Sequence, residues 1–249
     1  RRDGRQVQGK KWYCRLCIHH TSGQDEPKRQ LQYRAASRMT IELFNFKFSA
    51  YGRIVKIVLA EKKIKHVIRD INPFDLDAAD DYLQIHPFKR VPAIRHGDLF
   101  LYETSAITQY LDEAFGGPSL QPTNIQERAR MRQVMAIVDN YGYRPLVRKV
   151  FSESVFNPVF DQPVDKELLK EGIEESAFVL RALEKIISDN GYIASSTFSL
   201  ADAHLIPMVD YFTMAQEGIE MLGDYSKLSA WYEHIKGRPS VETTRPLLK

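Results

Sequence analysis

The sequence predicts a small α/β domain followed by an all-helical one. Three observations lead there. From Met39, apolar segments of strand length alternate with segments of helical periodicity over about 80 residues. Gly116-Gly117-Pro118 then breaks the pattern. After Asn124 the apolar residues follow the helical period alone.

Ile41 to Phe46 forms a short apolar strand. Arg53 to Glu61 places Ile54, Val55, Ile57, Val58 and Leu59 around most of its circumference, as a helix buried against a sheet does. Lys65 to Asp70 is a second strand, and Asp75 to Ile85 reads as a loop with a short helix. Val91 to Ile94 and Leu99 to Leu101 are two short strands, with His96-Gly97-Asp98 as the hairpin turn between them. Thr104 to Phe115 is a helix closed by the Gly-Gly-Pro break. The first half is thus a parallel strand–helix–strand unit and the second a hairpin plus helix. Beyond the linker, Gln126 to Phe151 and Lys166 to Ser188 are long amphipathic helices, the latter ended by Asn190-Gly191. Ser199 opens a third helix with Asp202 completing a capping box, and Pro207 falls early enough to be tolerated or to kink it. Tyr225 to Lys236 is a fourth, stopped by Gly237 and Pro239. The expected organisation is a basic arm over 1–38, an α/β domain over 39–117, a linker over 118–123 and a helical domain over 124–249.

The chain has 249 residues, 43% of them hydrophobic, enough for a sizeable core. No apolar run approaches the roughly 18 residues of a membrane helix, and residues 1–38 lack the apolar centre of a signal peptide. A soluble cytoplasmic protein is expected, with neither membrane nor nucleic acid as partner. The first 38 residues hold ten basic and three acidic side chains, a net of +7, which leaves the remainder at −4 of the total +3. A mildly acidic body argues against nucleic acid. The arm reads as disordered, or as a leader foreign to a fold that starts naturally at Met39. Cys14 and Cys17, with His19 and His20, have zinc-ligand types, but one such cluster lacks a second half, so no metal is expected. No other cysteine follows. Thiol chemistry in the body must therefore use a thiol that the ligand brings.

Four segments carry a resemblance. Ser49-Ala50-Tyr51-Gly52-Arg53-Ile54-Val55 resembles the serine loop and helix of the serine-type cytosolic glutathione transferases (phi, theta, delta). His86-Pro87-Phe88-Lys89-Arg90-Val91-Pro92-Ala93-Ile94 is similar to that family's N-P-F-x-x-V-P-A-L. Leu101-Tyr102-Glu103-Thr104-Ser105-Ala106-Ile107 resembles its L-x-E-S-x-A-I, and Ser199-Leu200-Ala201-Asp202 its helix-capping box. The four stand in family order and spacing from Met39 to about Pro239. The resemblance implies a thioredoxin-like first domain with a mixed four-stranded sheet, glutathione as co-substrate without metal, and a homodimer through the helices at Thr104–Phe115 and Gln126–Phe151. The implied reaction is conjugation of glutathione to small hydrophobic electrophiles. Glutathione-dependent reduction, isomerisation or dehalogenation on the same site is an alternative, as is a non-catalytic interaction module on the same fold.

The residue types suit that chemistry. A free thiol has a pKa of about 8.5, so little of it is the nucleophilic thiolate at neutral pH. A hydroxyl donor and a helix start both favour the anion. Ser49 follows the first strand and precedes the first helix; alone it reads as a turn or cap serine, and the resemblance makes it the thiolate stabiliser. Arg53 is expected to support the serine loop or its positive field. Val91-Pro92 is implied to be a cis peptide whose valine backbone pairs with the cysteinyl part of glutathione, where the residues alone equally allow a trans proline. Thr104 is expected to cap its helix and hold the γ-glutamyl carboxylate, with Glu103 taking the ammonium. Phi-class proteins place a His-Lys pair where this chain has Asp77-Ala78, so Arg90 is assigned the glycyl carboxylate. Phe48, Tyr51, Tyr143 and Arg144 are the expected electrophile-site residues.

Overall fold

The computed structural model describes residues 40–72 and 82–248. The arm with Cys14, Cys17, His19 and His20, the Met39 start, Asp77-Ala78 and most of the expected 75–85 loop lie outside the described residues.

Four strands form one mixed sheet in the order β2-β1-β3-β4. β1 (Ile41–Asn45) pairs in parallel with β2 (His66–Asp70) and antiparallel with β3 (Ala93–His96), which pairs antiparallel with β4 (Leu99–Tyr102). α1 (Ala50–Glu61) is the crossover between β1 and β2, and α2 (Thr104–Ala114) follows the hairpin. This is the expected thioredoxin-like arrangement. Gly97, at φ 61°, makes the two-residue turn possible. α1 begins three residues earlier than its apolar pattern indicates, because Ser49 caps it.

The helical half starts with α3 (Ile125–Ile137) and continues without a loop through π-helical stretches at Val138–Gly142 and Arg144–Phe156. It then runs through α4 (Lys166–Ile186), α5 (Leu200–Phe212), α6 (Gln216–Gly223), α7 (Ser226–Ile235) and α8 (Pro239–Glu242). α6 and α8 are too short to leave a periodic signature. α5 is buried on every side, and Pro207 sits in its interior without ending it. Its start is the predicted box: the Ser199 amide and hydroxyl donate to Asp202 Oδ2 at 2.8 and 2.9 Å. Among the described residues no helix is long and apolar enough to cross a membrane.

One apolar cluster runs through both halves, from Ile41 and Ile54 to Leu205 and Trp231. Polar ties cross the same boundary. Arg53, 1% exposed on α1, pairs with Asp210 of α5 at 2.6 Å and donates to the Val241 carbonyl at 3.1 Å. Its guanidinium lies 6.0 Å from the Tyr211 ring centre, and the Tyr211 hydroxyl donates to the Phe48 carbonyl at 3.2 Å. Arg53 is therefore a buried tie between the halves, not a local support of the serine loop. Burial pushes the Asp210 carboxyl up, but Arg53, Arg245 and the Tyr232 hydroxyl together hold it below its ordinary value. A second tie joins Thr108 Oγ1 of α2 to His204 Nε2 of α5 at 3.1 Å. Burial lowers the His204 pKa to about 3.

Two outcomes follow. Arg53→Ala leaves Asp210 buried against a void, and urea unfolding is expected to show a loss of about 3–5 kcal/mol; a loss below about 1 kcal/mol would mean that the tie is dispensable. The unfolded chain protonates His204 near pH 6.5 but the folded chain only near 3. Stability is thus complete above about pH 6.5 and falls by up to about 1.4 kcal/mol per unit as the pH drops towards 3. His204→Gln should flatten that slope in denaturation curves taken between these limits.

Candidate active site

A cavity of about 730 Å³ opens between the two halves. Its α/β wall comes from three chain segments that the sheet brings side by side. The first is the β1–α1 turn. Ser49 has extended backbone (φ −70°, ψ 117°) and caps α1, its Oγ accepting from the Gly52 amide at 3.0 Å. That bond uses an oxygen lone pair and leaves the hydroxyl proton able to donate into the cavity. Gly52 is required here by space: a Cβ on it would fall on the Asn45 side-chain oxygen and lie 3.3 Å from Ser49 Cβ. The Asn45 oxygen is buried without a hydrogen-bond partner among the described residues.

The second segment is the approach to β3. The Val91-Pro92 peptide is cis, and Val91, Pro92, Lys89 and Arg90 all line the cavity. The Tyr82 hydroxyl donates to the Arg90 carbonyl at 2.7 Å and so fixes this loop. The third is the β4–α2 junction. Glu103 occupies the cap position of α2 with φ 69°, and no side chain caps the helix. Thr104 is the first helical residue, buried and cavity-lining, and not the cap that the sequence suggested. Among the described residues no side-chain hydrogen bond reaches the amides of this first turn, which leaves them open to an anion.

The helical wall is built by the π-helical stretches, which contribute Asp139, Tyr143, Arg148, Ser152 and Phe156 at intervals of four to five residues. The Tyr51 and Tyr143 rings meet at 4.8 Å, and Phe48 packs edge-on against Phe156 at 5.5 Å. The predicted Phe48, Tyr51 and Tyr143 are therefore brought together. Arg144 is not: it is exposed and does not line the cavity. Arg148, four residues further along, lines the cavity instead.

His86, Phe46, Asp139, Val147 and Phe156 line the cavity without having been picked out from sequence. Asp139, one π-turn before Tyr143, had that spacing as its only signal. Burial and the negative charge of Glu103 raise its carboxyl to about 6, against the opposing pull of the Tyr51 hydroxyl hydrogen bond. Burial, with Asp139 as a lesser cause, likewise pushes the Tyr51 phenol up. His86 is 2% exposed and its imidazole is held below its usual value, chiefly by burial. Among the described residues no cluster of three or more acidic, His or Cys side chains is arranged to hold a metal.

The chain matches the family model described as glutathione S-transferase, N-terminal domain, over residues 43–119, and the one described as glutathione S-transferase, C-terminal domain, over residues 144–239. It is 30% identical over 220 residues to a glutathione S-transferase of Silene vulgaris, spanning 85% of this chain and 99% of that protein. It is 32% identical over 160 residues to glutathione S-transferase F10 of Arabidopsis thaliana, spanning 64% of this chain and 74% of that one. A solved glutathione S-transferase I bound with lactoylglutathione shares the fold with a TM-score of 0.73, at 24% identity, over 82% of this chain and 98% of its own.

The tight approach at Gly52 gives a direct check on the serine turn. Gly52→Ala is expected to lower stability by about 1–3 kcal/mol through overpacking and to displace Ser49. Removing the orphan oxygen in Asn45→Ala/Gly52→Ala should restore most of the loss in thermal melts. A double variant no better than the single one would place the strain elsewhere.

Proposed function

The chain belongs to the glutathione S-transferase family, and we propose that this cavity binds glutathione on its α/β wall and activates the thiol through Ser49 for attack on a small hydrophobic electrophile held by the helical wall. The observation that carries the proposal is the Ser49 geometry. Its oxygen is already engaged by the Gly52 amide, so its proton is directed elsewhere, and a sulfur placed there also meets the positive end of α1. Lowering a thiol pKa by two units requires about 2.7 kcal/mol of preference for the anion. One charge-assisted hydrogen bond and a helix start supply energies of that order.

The remaining roles follow the charges of the tripeptide. The open first-turn amides at Thr104 receive the γ-glutamyl carboxylate, and Glu103 the ammonium on the same carbon. The Val91 backbone pairs with the cysteinyl unit as an added strand, and Arg90 receives the glycyl carboxylate. Phe48, Tyr51 and Tyr143 form the apolar electrophile seat. The lactoylglutathione carried by the structurally similar transferase supports a glutathione-type ligand here. A homodimer through α2 and the helical stretch from α3 belongs to the same reading, as do a cytoplasmic location and the division into an α/β unit over 39–117 and a helical unit over 124–249.

The test is turnover of glutathione with a chromogenic aryl halide. Ser49→Ala removes the hydrogen bond and leaves the helix start, so it should raise the apparent pKa of the kcat/KM profile by about one to two units and cut neutral-pH activity by about 3- to 25-fold, the change in thiolate fraction. Turnover as fast as the parent would remove Ser49 from the mechanism. Failure to bind glutathione at millimolar concentration would remove the whole reading.

A further inference from the structure

One flank of the cleft, beside Ser49, is closed by aromatic rings. Phe48 from the β1–α1 turn and Phe156 from the π-helical wall both line the cavity, and their rings meet edge-on at 5.5 Å across the boundary between the halves. Phe160 packs against both, at 5.4 and 4.6 Å, yet does not line the cavity itself. It therefore stands behind the pair, and being half-buried it has solvent on its far side. The two lining rings have little freedom elsewhere. Phe46 meets Phe48 edge-on at 5.6 Å, the Tyr211 hydroxyl holds the Phe48 carbonyl at 3.2 Å, and Phe151 lies 6.2 Å from Phe156.

Phe160 is delivered by a loop with a clasped base. The second π-helical stretch passes into a single helical turn, Asn157–Val159, and α4 begins at Lys166. Between them the chain turns at Asp161, which takes the left-handed region at φ 53°. One oxygen of Glu153, a residue 6% exposed, accepts from both ends of this segment: from Asn157 Nδ2 at 3.0 Å and from the Asp165 amide at 2.8 Å. Asn157 Nδ2 also donates to the Pro163 carbonyl at 3.2 Å, and the Gln162 amide to the Asn157 carbonyl at 2.8 Å. A compact loop with its ends drawn together holds its shape, and a buried carboxylate resists losing its donors. None of these clasp residues except Phe156 before them borders the cavity, so what the clasp fixes there is the position of one ring, Phe160.

We propose that Phe160 sets the upper length of the electrophile. The inference rests on the glutathione reading above. Ser49 follows Phe48 directly, so an apolar tail on a sulfur held at Ser49 runs along the Phe48 and Phe156 rings. The tail gains from each methylene it buries there until the rings must give way. Phe160 fills the space into which they would move, and close-packed rings have no slack to yield. Compact electrophiles, a single ring or a short chain, fit; long alkyl tails are refused. Phe160 is a positioning residue in this reading: it acts through Phe48 and Phe156 and touches no ligand.

The experiment measures binding of S-alkylglutathiones by calorimetry, with tails from methyl to octyl, so it does not depend on turnover. In the parent, affinity is expected to rise about fourfold per methylene, the worth of one buried CH₂, and then to level off within the series. In Phe160→Ala the rise should continue for about two further methylenes, so that the octyl derivative binds about 15-fold more tightly than it does to the parent. Glutathione and S-methylglutathione should bind equally to both. Phe160→Tyr, which keeps the ring, should restore the parent profile. A loop that merely supports the fold would weaken every member alike when Phe160 is truncated. That result overturns the assignment, as does an unchanged profile in Phe160→Ala, a Phe160→Tyr variant that behaves like it, or a parent affinity that never levels off. A parent chain that binds neither glutathione nor its derivatives overturns the reading beneath it instead.

Discussion

The buried pair between Arg53 and Asp210 is the interaction on which the geometry of the cleft depends. α1 carries Ser49 at its start, and α5 is the central post of the helical half. Arg53 and Asp210 are 1% and 3% exposed, so their separation would strand a charge on each side. The remaining Arg53 nitrogens, Nε and Nη1, find no partner among the described residues. Asp210 and the Val241 carbonyl therefore supply its hydrogen-bonding partners. Such a pair is a poor source of net stability but a strict one of position. It fixes how the serine turn stands relative to the wall it faces, and the Tyr211–Phe48 hydrogen bond repeats the constraint from the next residue of α5.

Around that fixed hinge the cleft divides its work by chemistry. The α/β wall offers backbone groups: a helix start at Ser49, an uncapped helix start at Thr104 and the strand approach at Val91. These suit a peptide-like ligand with charges at known separations. The helical wall offers side chains, with the rings of Tyr143, Phe151 and Phe156 suited to varied apolar shapes. Asp139, Arg148 and Ser152 bring polar groups to the same wall.

The π-helical stretches explain the composition of the second wall. A wider turn draws residues at intervals of four and five onto one face, so Asp139, Tyr143, Arg148, Ser152 and Phe156 share it. The Ser152 hydroxyl donates to the Val147 carbonyl five residues back at 3.0 Å, a bond that belongs to this geometry. Arg144, expected at the electrophile site as a charge next to Pro145, lies in solvent.

The sequence by itself determined the α/β-then-helical order, the strands to within about two residues, the capping box at Ser199 and the segments that build the α/β wall. It could do so because strand length, helix caps and turn residues are local signals, carried within a few positions of the residue they describe. Ser49, Glu103, Thr104 and the Val91-Pro92 pair were picked out through the family resemblance that those local segments carry, since alone they read as a cap, an acid, a helix start and a proline of either isomer. Only the tertiary structure decided that Arg53 is an interdomain tie, that Glu103 and not Thr104 holds the cap position, that Arg148 and not Arg144 lines the cavity, and that Asp139 lines it too. Each of these depends on a partner distant along the chain or on a change of helical pitch. Sequence spacing carries no record of either, because side chains 157 positions apart, as Arg53 and Asp210 are, meet only after the halves have packed.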